Sequence, residues 1–275
     1  MTVKQFQSGL IAIVVVIFLP VLLKAEDPVL IAHRGLLRHA PENTLPAFSA
    51  CLDLRIGIEL DIRTTRDGEL VILHDDSLQR TTDGGPRSIL ELSWAEAQRL
   101  DAGKWFHPAF AGTPIPTLEE TLKLINQRKR GKSIIALNIK QINPEGEGKL
   151  IQLLEEYRLF DICFGFDQSS AMSRRLKLLN PKFRVGQNVN RNSMQSRLKE
   201  NQLDVFLLTF VPEISEVKEL KQRGKQVLFN FGGAEESRRN PAVWKQVRAA
   251  GVEGMLTDFP LECRQVWRER EQGRE

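Results

Sequence analysis

Residues 29–76 read VLIAHRGLLRHAPENTLPAFSACLDLRIGIELDIRTTRDGELVILHDD. Three short runs rich in β-branched residues, Val29–His33, Ile56–Ile62 and Leu70–His74, are separated by one helix-like segment, Thr44–Leu54, and one brief polar turn. Near-continuous Val, Ile and Leu is what a sheet buried on both faces requires. The polar residues are placed against that background. His33 and His74 each close a run, Arg34-Gly35 follows His33, and Glu59 and Asp61 alternate with Ile58, Leu60 and Ile62. In a strand, residues two apart share a face, so the two acids project together and their apolar neighbours project the other way.

Beyond this stretch the same alternation continues. Further strand-like runs are Ser133–Ile139, Ile162–Phe166, Phe183–Val189, Val205–Thr209, Gln226–Phe231 and Gly254–Thr257. Between them lie segments with apolar residues at three- and four-residue spacing: Leu118–Gln127, Gly148–Tyr157, Ser170–Leu179, Glu213–Arg223 and Pro241–Ala250. This order predicts an α/β fold of βαβ units on a parallel sheet, and about 250 residues is the usual size of a (β/α)8 barrel. Thr117 is a candidate N-cap, and Gly224 and Gly251 are candidate helix-terminating glycines. Two features depart from a plain barrel. The link Arg63–Glu69 is too short for a crossover helix, and Asp67-Gly68 looks like a hairpin turn, so the third run is either antiparallel or returned by extended chain. Residues Gln79–Pro116, with a short helix near Ser93–Leu100, read as an insertion over the strand ends. Nine runs for eight barrel places leave at least one outside.

The chain has 275 residues, 41% hydrophobic and 27% charged, with a formal charge of +4. So weak a net bias makes no electrostatic case for nucleic acid. Residues 1–25 are a separate object: Lys4, then the uncharged run Gly9–Leu23, then Lys24-Ala25. Fifteen residues fall short of a bilayer span and match the apolar region of a signal peptide. The expectation is export, to periplasm or medium, with 1–25 either cleaved or kept as a membrane anchor. Residues 28–268 are expected to form one domain. Cys51, Cys163 and Cys263 show no metal spacing and read as buried hydrophobes, although an exported chain could pair two of them.

His33 and His74 can give and take protons near neutral pH, on opposite sides of one reacting centre. Glu59 and Asp61 on an inward face resist burial unless a cation joins them, and oxygen-only ligation suits Ca²⁺ or Mg²⁺. Arg34 offers forked donors to a phosphate, and Gly35 permits close backbone approach. His39 and His107 sit in loop-like contexts and read as ordinary surface residues. Together these residues point to phosphoryl chemistry without a covalent nucleophile.

The ordered set His33-Arg34-Gly35, Ala40-Pro41-Glu42-Asn43-Thr44, Glu59-Leu60-Asp61, His74-Asp75, Leu78-Gln79-Arg80-Thr81-Thr82, Leu100–Phe106, Ile115–Glu120 and Gly254–Asp258 strongly resembles the glycerophosphodiester phosphodiesterase family. The resemblance implies a (β/α)8 TIM barrel with a cap at about 79–116 over the C-terminal ends of the strands. It implies that both strands flanking Asp67-Gly68 belong to the barrel. It also implies His33 and His74 as the acid–base pair, Glu59 and Asp61 as ligands to a divalent cation, and Arg34 on the phosphate. The implied reaction releases glycerol 3-phosphate and an alcohol. One position departs. The family's fourth strand carries Glu-x-Lys, the Glu a third metal ligand and the Lys a substrate contact; here Ala136–Gln141 puts Asn138 in the first place and Lys140 in the second. An amide oxygen can ligate but brings no charge, and Glu145 or Glu147 nearby could compensate. Where the family expects a tryptophan-bearing strand, this chain has Val227–Phe231. Two alternatives therefore stand beside the hydrolase: a catalytically impaired phosphate-binding barrel, and a phosphodiesterase acting on lysophospholipid or sphingolipid head groups.

Overall fold

A computed structural model of the chain describes residues 29–131, 133–169, 171–200, 202–230 and 238–268. The expectations for residues 1–25 lie outside them. None of the described helices is long and apolar enough to cross a membrane.

Eight parallel strands form the wall of a barrel: β1 Val29–Ala32, β2 Gly57–Thr64, β4 Ile135–Ile139, β5 Cys163–Phe166, β6 Gly186–Val189, β7 Val205–Leu208, β8 Gln226–Asn230 and β9 Gly254–Thr257. Their order is β5-β4-β2-β1-β9-β8-β7-β6. A single parallel bridge, Gly165 to Val185, draws the two ends of that path together. Ile31, Ala136, Phe164, Val205, Leu207, Leu228 and Leu256 fill the interior. The alternate residues pack outward against α1 Leu45–Asp53, α3 Leu118–Arg128, α4 Pro144–Glu156, α5 Ala171–Leu179, α6 Arg191–Leu198, α7 Ile214–Gln222, α8 Pro241–Ala249 and α9 Pro260–Arg268.

The third run, β3 Leu70–Ile72, pairs antiparallel with the end of β2 and lies off the ring. This corrects the expectation that both strands flanking Asp67-Gly68 belong to the barrel. A five-residue link cannot carry the chain across to a parallel position, whereas a turn with Gly68 at φ +88° reverses it directly. The insertion that follows holds the short helix α2 Trp94–Ala97 and has its own small core of Leu78, Ile89, Leu92, Ala97, Ala102 and Ile115, packed on Val71 and Leu73.

Local signals explain most helix ends. Thr117 and Glu120 form a reciprocal capping box: the Glu120 amide donates to Thr117 Oγ1 at 3.0 Å and the Thr117 amide to Glu120 Oε2 at 2.9 Å. Gly224 and Gly251 follow helices at φ +71° and +90°. Helix α4 starts before the expected Gly148, because Asn143 caps it and Pro144 opens it. Strand β6 is shorter than the run Phe183–Val189, since Phe183 turns into the outer core. Helices α6 and α9 were not expected. All three cysteines are free and buried.

Candidate active site

Glu59 and Asp61 lie on β2 with their side chains inside the barrel mouth and no exposure to solvent, while Ile58, Leu60 and Ile62 face outward into the helical layer. Their surroundings are built by two successive left-handed turns. Arg34 (φ +54°) and Gly35 (φ +80°) fold the chain back after β1, so that the Arg34 amide donates to Glu59 Oε2 at 2.9 Å. A Cβ on Gly35 would stand 2.8 Å from Ala47 Cβ, so this glycine's close approach is to α1. Asn43 (φ +57°) then donates from Nδ2 to Asp61 Oδ2 at 2.8 Å.

Among the described residues two buried side-chain oxygens receive no hydrogen bond: Glu59 Oε1 and Asp61 Oδ1. Lys140 Nζ stands 3.3 Å from Asp61 Oδ1 without the alignment of a hydrogen bond, and Arg34 Nε is 3.5 Å from Oδ2. Burial and the Asp61 charge push the Glu59 carboxyl up to about 7. Burial also opposes ionisation of Asp61, but Lys140 and Arg34 outweigh it and hold that carboxyl below its usual range. Such a pair, one acid poised near neutrality and both with orphaned oxygens, fits a hard cation. Asn138 sits beside Asp61 in the parallel register of β2 and β4 and is partly exposed at the mouth. Among the described residues no group of three or more His, Cys, Asp or Glu could hold a metal. Glu147 does not compensate: it is buried against Arg175, with Oε1 accepting at 3.0 and 2.5 Å. Glu145 is exposed at the start of α4.

Each histidine is held at Nδ1 by a carboxylate. His33 Nδ1 is 2.6 Å from Asp258 Oδ1, and His74 Nδ1 is 2.6 Å from Asp75 Oδ1. A carboxylate only accepts, so the proton sits on Nδ1 and Nε2 is left to work. His33 Nε2 is 4.0 Å from Glu59 Oε2. Burial lowers the pKa of both imidazoles, most of all against the raising effect of Glu59 on His33 and of Asp61 on His74. His74 is further fixed through its carbonyl, which accepts from Arg63 Nε and Nη2 at 3.0 and 2.8 Å. A second ring of charge surrounds these groups. Arg34 Nη1 donates to Glu42 Oε1 at 2.8 Å, and Arg80 bridges Glu42 and Asp75. Arg238 pairs with the other oxygen of Asp258.

The structure therefore gathers His33, Arg34, Glu59, Asp61, His74 and Lys140 at the C-terminal end of the barrel, with Asn138 at the rim. His107 merely caps a turn, accepting from the Ala109 amide, and His39 is exposed. Asp258 closes the motif Gly254–Asp258, but no role for it was legible, since it lies 225 residues from His33 along the chain.

Residues 33–262 match the model of the Glycerophosphoryl diester phosphodiesterase family. The chain belongs to this family. Among its relatives is a glycerophosphodiester phosphodiesterase of Caldanaerobacter subterraneus subsp. tengcongensis, 33% identical over 84% of this chain and 93% of that one. A phosphodiesterase of Oleispira antarctica, solved with the product sn-glycerol-3-phosphate, superposes with a TM-score of 0.70 at 26% identity over 87% of this chain and 96% of that one. A glycerophosphoryl diester phosphodiesterase structure from Silicibacter pomeroyi shares the fold, with a TM-score of 0.74 at 20% identity over 89% and 94%. As a member of the glycerophosphoryl diester phosphodiesterase family, the chain is a phosphoric diester hydrolase with a TIM barrel.

Proposed function

We propose that this hydrolase cleaves glycerophosphodiesters to glycerol 3-phosphate and an alcohol, with His33 and His74 as the acid–base pair and Glu59, Asp61 and Asn138 holding Ca²⁺ or Mg²⁺. The observation that carries the reading is the pair of buried oxygens on Glu59 and Asp61 that accept no hydrogen bond, flanked by two imidazoles whose Nδ1 atoms are both anchored. Product seen in the Oleispira relative supports the substrate class.

When bound, the cation supplies neutralisation of phosphate charge and acidification of a glycerol hydroxyl. The remaining work falls to side chains. Arg34 and Lys140 bring positive charge to the phosphate oxygens. One imidazole takes the proton of the glycerol 2-hydroxyl as its oxygen bonds to phosphorus. The other gives a proton to the departing alkoxide as that P–O bond breaks, leaving a cyclic phosphate. Water then opens the ring with the proton transfers reversed. The phosphate's negative charge offsets the burial that lowers both imidazole pKa values, so one of them can carry the proton it must give.

The test is release of glycerol 3-phosphate from glycerophosphocholine with added Ca²⁺ or Mg²⁺ and with EDTA, in wild type, His33→Gln and His74→Gln. Turnover that EDTA abolishes and either substitution lowers by about 10²–10⁴ is expected. Chelator-insensitive turnover would remove the metal assignment. A second reading, the impaired phosphate-binding barrel, is favoured by Asn138 and by Lys140 standing on Asp61; it requires phosphate binding with no turnover under either metal. Release from lysophosphatidylcholine but not glycerophosphocholine would favour the lipid head-group alternative. We also infer from the run Gly9–Leu23 that the chain is exported, with residues 28–268 as its single folded domain; fractionation of cells expressing the full chain checks this.

A further inference from the structure

All ring strands run the same way, so the seven segments that lead from a helix back to a ring strand meet at one end, opposite the active site. Their described residues carry nine Lys and Arg against four Asp and Glu. Arg55, Arg130, Arg158, Lys182, Lys199 and Arg223 are exposed there. That excess is larger than the +4 of the whole chain, so the positive charge is concentrated on this end and the rest of the molecule is close to balanced. Two of these cations bond to carbonyls, which bring no opposing charge: Lys225 Nζ donates to Leu203 O at 2.7 Å and Lys129 Nζ to Arg158 O at 3.5 Å. The centre of the face is a concavity of about 640 Å³, where Arg184, Lys221 and Arg248 outnumber Asp161 and Glu253. Val29 lines it too, so the chain enters β1 at this end, directly after the sequence that contains the uncharged run Gly9–Leu23.

We propose that this end of the barrel seats on the surface of an anionic phospholipid bilayer, with the active-site mouth facing away into water. Cations spread over successive loops of one face match a field of anionic head groups, and the apolar run is attached where it can enter the same bilayer. Nucleic acid would account for the charge alone but not for that run. Joined to the hydrolase reading above, this orientation assigns the enzyme water-soluble, deacylated diesters in preference to lipids still embedded in the bilayer.

The experiment is sedimentation of the full-length chain with phosphatidylcholine vesicles, with and without 30% phosphatidylglycerol, at low and high salt. A variant carrying Arg130→Gln, Lys182→Gln and Lys199→Gln is compared with wild type. Each basic residue near an anionic surface is worth roughly fivefold in partitioning, so the triple variant should bind about 100-fold more weakly at low salt, with unchanged circular dichroism. Vesicle-bound wild type should turn over glycerophosphocholine at the rate seen in solution. Equal binding to uncharged vesicles, or no effect of the variant, would overturn the proposal in favour of the apolar run acting alone. Loss of turnover on vesicle binding would overturn the orientation, and tighter binding to a DNA duplex than to the anionic vesicles at the same salt would overturn the partner. The vesicle partition needs no turnover, so failure of the hydrolase reading would be seen separately.

Discussion

Asn138→Glu tests the cation site through the position that is particular to this chain. Asn138 faces Asp61 across one strand spacing, about 4.8 Å between neighbouring strands, with Glu59 one layer below. Two unit charges at that spacing repel by about 3 kcal/mol at an effective dielectric near 20. Protonation of Glu59, already pushed up to about 7, relieves part of this, so the ion-free variant should lose roughly 1–3 kcal/mol of stability, more at pH 8 than at pH 6. With the ion bound the same charge becomes attractive, and Ca²⁺ or Mg²⁺ should bind about 10–100-fold more tightly. Thermal unfolding with EDTA and with saturating metal reads the first quantity, and titration calorimetry reads the second. If neither ion-free stability nor metal affinity changes, Asn138 does not face the carboxylate pair and the reasoning fails.

Three further outcomes follow from the site. Asp258→Asn should lower kcat at least about 10²-fold with little change in KM or metal affinity, because it frees His33 to take the wrong tautomer while leaving Glu59 and Asp61 untouched. Glu59 has a raised folded pKa, so its contribution to stability without metal is full below about 4.5 and is lost as pH rises through about 7. Metal binding at pH 6 should therefore displace close to one proton and at pH 9 almost none, which calorimetry in buffers of different ionisation enthalpy measures. Burial pushes the Cys51 and Cys163 thiols up to about 12, and Cys263 is also raised; reductant should leave the melting temperature unchanged, and thiol reagents should label the native protein only as fast as it unfolds.

The barrel was legible because most of its strands are short apolar runs, and a parallel wall packed on both faces demands such runs. Glu59 and Asp61 were legible for the same reason: two acids set among isoleucines on one strand stand out against that demand. Helix α6 was not legible, since Met194 and Leu198 are its only apolar residues and its buried stripe is a single i, i+4 pair. Helix α9 follows β9 after two residues and mixes Leu261, Cys263, Val266 and Trp267 with charges, so no linker marks it off. The direction of β3 stayed open in the sequence because a short polar link excludes a crossover without selecting the alternative. The pairings His33–Asp258 and Arg80–Glu42 depend on ring closure and on how the insertion folds over the barrel, which no local pattern carries.

The off-ring hairpin gives the two imidazoles different mechanical supports. His33 is anchored in the barrel wall and locked to the neighbouring strand β9 through Asp258, whereas His74 hangs from β3, held by Arg63 and by the small core of the insertion. The insertion reaches the carboxylates that face the cation through Arg80, which holds Glu42 and, through it, Arg34. Substitutions in residues 81–116, which spare Arg80, can therefore retune rate or leaving-group tolerance through His74 while Glu59 and Asp61 stay in place.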